Sequence, residues 1–346
     1  MEITGTAQFD AWQRRVPPPV EEVRPGLWSI PVPMPHNPLR YTLCYAFTGR
    51  DVVIVDPGWD SPDARAALTA GLTTAGTSLD DVTGIVLTHI HPDHHGLTGW
   101  VRSASGAWAG MHPAEAATLP ARLDHHYRDA SADRAWLIRA GVPSDEIDAL
   151  AISTDSLDAL RRLASPDRLI EDGSLLPIPG REVRAIWTPG HTPGHLCLHD
   201  AAAGALLTGD HLLPRITPNI AAKDDTDGDP LGDYLTSLAK FTAFQAEEAL
   251  PAHEYRFRLL DVRAKAVADH HEARSAEVIA AAANLDFPTA WLIAGALTWS
   301  RGWASLNGFL RRMALGETIA HLNHLTAVGA LLPSPDSPIH WHPAVP

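Results

Sequence analysis

Three imidazoles and one carboxylate lie within six consecutive residues of this chain, at His89, His91, Asp93 and His94. In a turn, the first two side chains can point to one side while the last two point to the other. Imidazole nitrogens and carboxylate oxygens in that arrangement suit two metal ions held a few ångströms apart. The alternative is a surface loop that is histidine-rich by chance, in a chain with 19 histidines.

Three further segments place histidine or aspartate beside glycine or proline, each directly after an apolar stretch. They are WTPGHTPGH at 187–195, LTGDH at 207–211 and PAHE at 251–254. A metal centre usually draws its ligands from several loops, so these segments supply what the first cluster lacks. Their presence favours a metal site over a chance cluster.

Short apolar segments between glycines and prolines predict the strands that must position these side chains. A helix is predicted from Ser61, its N-cap, to about Thr74. Polar residues collect where the strands end, which is where layered α/β folds build their sites. The predicted strands are Leu27–Val32, Tyr41–Phe47, Val52–Val55, Ile85–Thr88, Val183–Trp187 and Ala205–Thr208.

The composition is that of a soluble globular protein, with 45% hydrophobic and 20% charged residues. Its 346 residues allow two domains, or one large domain with an appendage. Acidic residues outnumber basic ones, 41 to 27, and the formal charge of −14 disfavours general binding to phosphate backbones. Two cysteines cannot form a disulfide framework. No signal-peptide pattern and no apolar run near the about 20 residues of a membrane span are visible, which predicts a cytoplasmic protein without a membrane partner.

Taken in order, the four motifs resemble those of the metallo-β-lactamase superfamily, from about Val23 to Arg258. The resemblance implies an α/β fold, the αββα sandwich of two sheets between helices. Asp210 stands where one class of lactamases in the strict sense has a cysteine. It resembles instead the hydroxyacylglutathione-hydrolase and lactonase branch, in which a carboxylate bridges two metals.

The resemblance also implies a role for each motif residue. Asp56 matches a family carboxylate that supports the site, although an aspartate turn after a strand explains it equally well. His195 is expected to be structural or supporting. Zn²⁺ is the expected ion, and Fe and Mn are alternatives that suit the same ligands. In the implied dinuclear site, His89, His91 and His191 hold one metal, Asp93, His94 and His253 hold the second, and Asp210 bridges them.

Two such ions would lower the pKa of a shared water toward neutrality, and one would polarise a substrate carbonyl. Asp93, near both the water and the leaving group, is the candidate catalytic residue for moving the proton. The superfamily also contains redox members. Flavodiiron proteins have a glutamate where this chain has His91, whereas persulfide dioxygenases keep the motif and use one iron.

Two segments outside the motifs have a helical composition. Residues 113–163 are predicted as an insertion in a catalytic domain of residues 1–262. It either lines an apolar substrate channel or anchors itself to the body of the domain through Leu123, Tyr127, Trp136, Leu137 and Ile138.

Residues 263–346 resemble a small winged-helix-like domain attached to one branch of the superfamily, most clearly at 317–325. Helices are expected at about 263–283, 288–299, 304–312 and 316–329, followed by a proline-rich tail. Such an appendage either binds nucleic acid or serves packing and dimerisation. Residues 262–346 carry six basic and six acidic residues, so they lack a basic footprint. Packing against the catalytic domain or a homodimer partner is the favoured use. Trp291, Trp299 and Trp303 are candidate contacts, and core packing within the small domain explains them equally well.

The favoured function is dinuclear, metal-dependent hydrolysis of a small ester, thioester or lactone. The alternative is a metallo-endoribonuclease that cleaves phosphodiesters with the same ions, and a non-enzymatic metal-binding regulator is a weaker third. The basic loop that positions glutathione in hydroxyacylglutathione hydrolases is not evident in the sequence. This disfavours a glutathione thioester as the substrate.

Overall fold

The structure is a computed structural model and describes residues 1–35, 37–119, 130–151, 164–222, 228–241, 243–244 and 246–344. The chain divides into two compact units. The first unit comprises Met1–Pro120, Asp158–Pro218 and Ser237–Ala264. The second comprises Ala121–Leu157, Asn219–Thr236 and Lys265–Pro346. The predicted domain boundary at residues 262 and 263 stays a prediction.

The strands follow the predicted pattern closely: of the six predicted, two end one residue later than expected and one is shifted. The segment predicted as Ile85–Thr88 is a strand that ends at Val86, because the Thr88 backbone turns to donate to the Asp56 carboxylate. The strands are β1 (Glu2–Ile3), β2 (Glu21–Arg24), β3 (Leu27–Pro33), β4 (Tyr41–Phe47), β5 (Val52–Val55), β6 (Val82–Val86), β7 (Trp108–Met111), β8 (Arg168–Leu169), β9 (Val183–Trp187), β10 (Leu196–Asp200), β11 (Ala205–Gly209), β12 (Glu248–Pro251), β13 (Phe257–Arg258), β14 (Leu331–Pro333) and β15 (Trp341–Pro343).

The helix predicted after Ser61 is present, and the Ser61 Oγ accepts a hydrogen bond from the Ala64 N–H at 3.2 Å. This N-cap satisfies one of the donors that the first helical turn leaves open. The helices are α1 (Thr6–Arg14), α2 (Pro62–Thr74), α3 (Pro92–His95), α4 (Thr98–Ser105), α5 (Pro113–Ala116), α6 (Ala130–Arg139), α7 (Ile147–Leu150), α8 (Pro230–Lys240), α9 (Leu260–Asn284), α10 (Ala290–Ala296) and α11 (Gly308–Ala327).

Two sheets form the first unit. Strands β2 to β8 make one sheet in that order, and the other has the order β1-β13-β12-β11-β10-β9. Strands β5, β6 and β7 are parallel, as are β11 and β12. Parallel neighbours end at the same edge of a sheet. Residues that follow β5 and β6 therefore meet at one edge, and those that follow β11 and β12 meet at one edge of the other sheet.

The hydrophobic core lies between the two sheets. Alternate side chains of β4, such as Leu43, Tyr45 and Phe47, are buried in one cluster with Leu198 and Leu207 of the other sheet. Helix α2 packs on β3, the strand that contains Ile30. A Cβ atom at Gly71 would lie 2.2 Å from the Ile30 Cγ2, so this contact requires glycine. The predicted α/β class and αββα architecture are confirmed.

The second unit contains α10 and α11, and its last segment is ordered as a strand pair. The expectation of separate helices at 304–312 and 316–329 is wrong, because α11 runs unbroken through Gly316. The Gly316 carbonyl accepts from the Ala222 N–H at 3.1 Å, and a Cβ here would lie 3.1 Å from Ala221. Gly316 therefore allows the segment at Ala221 to approach the helix closely, and it does not end the helix. The proline-rich tail forms β14 and β15, which pair antiparallel.

The aromatic residues proposed as contacts pack within the second unit. Trp303 lies 4.9 Å from Trp291 and 6.4 Å from Trp299, measured between ring centroids. The guanidinium of Arg312 lies 4.5 Å from the Trp136 ring, and Leu137 is fully buried. A subunit contact and a substrate channel stay predictions. Ile138 is exposed, whereas Leu123 and Tyr127 lie outside the described residues.

Among the described residues, none of the helices combines the length and apolar character that crossing a bilayer requires.

Candidate metal centre

The loops that follow β6, β9, β11 and β12 bring the predicted ligands together in the first unit. His89 and His91 follow β6, and α3 carries Asp93 and His94. Within each of three groups, one nitrogen or oxygen atom per residue lies within 4.8 Å of the others. These groups are His89, His91 and His191; His89, His94 and Asp210; and Asp93, His94 and His253.

The three histidines of the first group face a common point. The Nδ1 atom of His91 lies 3.0 Å from the His89 Nε2 and 3.1 Å from the His191 Nε2. Three nitrogens at these spacings can coordinate one cation. Zinc, for example, binds imidazole nitrogens at about 2.0–2.1 Å. The structure therefore brings together the first predicted ligand set.

The second group forms around the Asp93 and Asp210 carboxylates. His253 Nε2 lies 3.5 Å from Asp93 Oδ2 and 3.2 Å from Asp210 Oδ1. His94 Nε2 lies 3.7 Å from Asp93 Oδ2 and 3.5 Å from Asp210 Oδ2. Asp210 Oδ2 is also 3.7 Å from the His191 Nε2 of the first group. Asp210 thus lies between the two groups, as a bridging ligand must.

Three buried atoms of the site lack a hydrogen-bond partner among the described residues. They are His94 Nε2, His253 Nε2 and Asp210 Oδ1. Buried polar atoms are nearly always satisfied, and leaving one unpaired costs about 1–3 kcal/mol. A divalent cation among these atoms would satisfy all three at once. The nitrogen and oxygen donors present therefore fit the metal that the motifs imply.

Charge within the site favours ionised carboxylates. Burial opposes ionisation of Asp210, yet the neighbouring His253 and His94 hold its pKa well below the usual value. Burial lowers the pKa of His94, but Asp210, Asp93 and Asp56 together raise it well above that of a free histidine. The buried carboxylates thus create a negative potential at the surrounding imidazoles, which favours a bound proton or metal cation there.

Supporting hydrogen bonds orient the ligand rings. Asp56 has a left-handed backbone, with φ 52°. Its Oδ1 accepts from the Thr88 N–H at 2.8 Å, and its Oδ2 lies 2.8 Å from the His94 Nδ1. The Nδ1 of His253 donates to the Tyr41 carbonyl at 2.9 Å. Each of the two contacts to a histidine Nδ1 directs the opposite ring nitrogen, Nε2, toward the site. In metal sites, hydrogen bonds of this kind fix the tautomer of a histidine ligand.

His195 also supports the site rather than facing the ligand atoms directly. Its Nε2 accepts from the Asp210 N–H at 3.2 Å, and its Nδ1 lies 2.9 Å from the Thr188 Oγ1. Gly209 has φ 51°, and a Cβ atom there would lie 2.6 Å from the His195 Nε2. Glycine before Asp210 therefore lets the imidazole reach the Asp210 backbone.

Glu115 is a buried residue beside the site that the sequence did not indicate. It is fully buried, its Oε1 accepts from the Ile90 N–H and its Oε2 from the Gly194 N–H, both at 2.7 Å. Ile90 lies between His89 and His91, so one carboxylate joins the loops of two motifs. The sequence offered no signal, because Glu115 stands alone in an alanine-rich segment assigned to the insertion.

Comparison with known proteins gives a family and a fold. The model of the metallo-beta-lactamase superfamily matches residues 37–253. Among solved structures, a metallo-beta-lactamase family protein from Thermus thermophilus is 31% identical, with a TM-score of 0.76. The match covers 93% of this chain and 100% of that one. The similarity therefore extends beyond the region that the family model matches.

Two curated relatives carry more specific names. The lactamase-like protein vrtG of Penicillium aethiopicum is 28% identical over 69% of this chain and 59% of its own length. The atrochrysone carboxyl ACP thioesterase dmxR1 of Cryptosporiopsis is 24% identical over 71% of this chain and 60% of its own length. This chain thus spans less than two thirds of either relative.

Proposed function

Because the chain belongs to the metallo-β-lactamase superfamily, we propose that it is a metal-dependent hydrolase of a small ester, thioester or lactone. The observation that carries the proposal is the convergence of the motif side chains, with three buried atoms unsatisfied among the described residues. A relative named as a thioesterase supports an acyl substrate. Thioesters are accordingly the first substrates to test.

The proposed ligand sets correspond to the first and the third of the three groups described above. His89, His91 and His191 would hold one ion, Asp93, His94 and His253 the second, and Asp210 would bridge them. Zn²⁺ is proposed first, with Fe and Mn as alternatives. Divalent ions at these positions would supply an activated water and a Lewis acid for the substrate carbonyl.

Asp93 is proposed as the residue that moves the proton. Its side chain retains 16% exposure, whereas the His94 and His253 side chains are almost fully buried. Burial opposes ionisation, yet His94 and His253 lower the pKa of Asp93 to about 2. Asp93 is therefore an ionised carboxylate within reach of solvent. With so low a pKa it is a weak base, so we propose that it takes up a proton only transiently and passes it readily to a leaving alkoxide or thiolate.

The remaining polar residues orient these groups. Asp56 and the Tyr41 carbonyl hold the rings of His94 and His253, and His195 holds the backbone of Asp210. Preorganised donors and acceptors require no rearrangement when charge develops on the substrate oxygen. The chain thus supplies positioning and proton transfer without a serine, cysteine or lysine nucleophile.

A substrate panel tests the proposal. The protein is stripped with a chelator, reloaded with Zn²⁺, Fe²⁺ or Mn²⁺, and assayed with p-nitrophenyl acetate, acetyl-N-acetylcysteamine thioester, a γ-lactone and single-stranded RNA. We expect turnover of at least one acyl substrate, lost on stripping and restored on reloading. Efficient RNA cleavage with negligible acyl turnover would instead identify the endoribonuclease. Acyl turnover that survives complete metal removal would contradict the metal-dependent mechanism.

A further inference from the structure

Two arginines are connected, through Tyr41 and Glu254, to the half of the site that contains His253. Arg40 directly precedes Tyr41, whose carbonyl accepts from the His253 Nδ1 at 2.9 Å. Glu254 directly follows His253, and its Oε1 lies 3.7 Å from the Arg215 Nη1. Arg40 is therefore adjacent in sequence to Tyr41, which holds the proposed ligand His253. Arg215 lies close to Glu254, which follows His253 in sequence.

Trp12 holds both guanidinium groups in one place. The Arg40 Nη2 donates to the Trp12 carbonyl at 3.1 Å. The guanidinium carbon of Arg215 lies 4.1 Å from the centre of the Trp12 ring. Stacking on an aromatic ring fixes the plane of a guanidinium while leaving its edge donors available. We call Arg40, Arg215 and the Trp12 that joins them the arginine rim.

The rim retains unused donor capacity. The Arg215 side chain is 47% exposed, and its 3.7 Å separation from Glu254 exceeds hydrogen-bond length, so Glu254 offsets its charge only in part. The Arg40 Nε is buried without a partner among the described residues. A guanidinium carries five N–H donors in a planar fork that matches carboxylate and phosphate oxygens. The exposed donors of Arg215 can therefore still bind an anion, and Arg40 beside it has a donor that no described residue satisfies.

The backbone is strained where the rim joins the site. Arg40 has φ 71° and Glu254 has φ 69°, a left-handed conformation that is unfavourable for residues with a Cβ atom. Such residues cluster at ligand sites, where the exact position of a side chain matters more than stability. The strain therefore supports a binding role for the residues on both sides of His253.

We propose that Arg40 and Arg215 form an anion subsite for a carboxylate or phosphate carried by the acyl substrate. The inference rests on the proposed hydrolase function and narrows its substrate class to anionic esters or thioesters. A chain with a net charge of −14 repels such substrates in general, so local cations are needed beside the reacting centre. The anion can belong to the acyl part or to the thiol part of the substrate.

Three matched thioesters separate these two sources. Acetyl-N-acetylcysteamine is neutral, succinyl-N-acetylcysteamine has a carboxylate on the acyl part, and acetyl-4′-phosphopantetheine has a phosphate on the thiol part. For Arg215→Gln and Arg40→Gln, we expect KM for the anionic thioester to rise about tenfold or more. This corresponds to the loss of a charged hydrogen bond of about 1.5–3 kcal/mol. The KM for the neutral thioester should rise by a much smaller factor than the KM for the anionic one.

Arg14→Gln is the matched control, because the exposed Arg14 donates only to the Asp10 carbonyl of its own helix, at 3.3 Å, among the contacts described. It should leave all three KM values unchanged. The inference is overturned if the wild-type enzyme shows the same KM for neutral and anionic thioesters. An equal KM increase for all three substrates in the rim variants would overturn it as well.

A binding measurement keeps the inference separable from the proposed function. Calorimetric titrations of 4′-phosphopantetheine and of succinate into the metal-loaded protein need no turnover. We expect at least one of the two to bind, and its Kd to rise about tenfold in Arg215→Gln but not in Arg14→Gln. If no thioester is hydrolysed, the proposed function fails while this result still supports the subsite. Equal Kd values in all variants, or binding of neither probe, would overturn the subsite alone.

Discussion

Two groups of buried histidines in this protein differ in what surrounds them. In the candidate metal centre, His94 and His253 face the carboxylates of Asp93 and Asp210 at 3.2–3.7 Å. In the second unit, the His321 Nε2 lies 3.3 Å from the His271 Nδ1, and its Nδ1 lies 3.0 Å from the Ser275 Oγ. Burial is similar in both places, so the neighbours make the difference.

The neighbours give the two groups opposite electrostatics. Burial lowers the pKa of His321 to about 2, helped by His271, Arg274, His324 and His270. At the candidate centre burial also lowers the pKa of His253, yet the two aspartates raise it to about 10. Carboxylates therefore turn a cluster of histidines into a place that attracts cations, and without them buried histidines are neutral packing residues.

The largest expected effect is on the carboxylate between the two ligand sets. Asp210→Asn keeps the shape of the side chain but removes its charge. We expect metal content to fall from two ions per chain to one, because Asp210 is proposed to bridge. Acyl hydrolysis should fall by more than the about hundredfold typical of supporting residues. Elemental analysis and a turnover assay on the same sample check both.

The matched control comes from the second unit. Asp229 also lies beside a histidine, with its Oδ2 3.0 Å from the His324 Nδ1. Asp229→Asn should leave metal content and turnover unchanged. A well-folded wild-type protein that saturates with one ion, or an Asp210→Asn variant with full activity, would contradict the dinuclear assignment.

A smaller effect is expected at Glu115, whose carboxylate joins two ligand loops. In Glu115→Gln the amide oxygen can accept from only one of the Ile90 and Gly194 N–H groups, and the amide nitrogen opposes the other. Metal affinity, measured by competition with a chelator, should fall about ten- to hundredfold. The visible spectrum of the Co²⁺-loaded protein should change as the His89, His91 and His191 geometry loosens.

Glu248→Gln separates this effect from a general loss of stability. Glu248 is also buried, and it pairs with Arg24 and Arg256 at 2.8 and 2.9 Å. Both variants should melt at lower temperatures, but only Glu115→Gln should bind metal more weakly. Equal chelator resistance in wild type and Glu115→Gln would show that the carboxylate merely stabilises the fold.

The sequence predicted the motif residues of the centre and missed the residues that connect them. His89, Asp210 and the others follow strands beside glycine or proline, so their spacing is visible in one dimension. Asp56 could be named from its position after β5, although its bonds to Thr88 and His94 could not. Glu115 approaches Ile90 and Gly194 only in three dimensions, and no periodicity or motif marks it.

The same distinction applies to the fold. Apolar runs predicted β4, β5 and β9 correctly, because buried strands have a local signature. Two helices were expected where α11 runs unbroken, and Gly316 within it permits a close contact with Ala221. This role of Gly316 depends on a residue far away along the chain, so the helix propensity of glycine does not reveal it.

The pH dependence of stability should reveal the second histidine group. Burial lowers the pKa of His271 to about 4, so this ring and His321 are neutral in the fold and titrate near 6.5 when unfolded. Below pH 6.5 the unfolded chain binds more protons, and the free energy of unfolding therefore falls as pH falls. We expect a loss of about 1 kcal/mol per histidine between pH 7 and pH 5.5.

The variant His271→Gln/His321→Gln should flatten this dependence, measured by denaturant unfolding at each pH and compared with wild type. Groups at the metal centre titrate in both proteins, so the difference between the two curves isolates the pair. Parallel curves for the variant and the wild type would show that these two rings do not contribute to acid destabilisation.

The smallest expected effect is the metal content of that same double variant, which should stay at the wild-type value. His271 and His321 lie within hydrogen-bond distance of each other, but the described residues place no third ligand atom close enough to complete a site. Two imidazoles without a carboxylate also give no net negative charge to offset the desolvation of a divalent ion. Elemental analysis after reloading with Zn²⁺ checks this against His94→Gln, which should lose metal. Loss of an ion from the double variant would show that carboxylate neighbours do not separate the two groups of histidines.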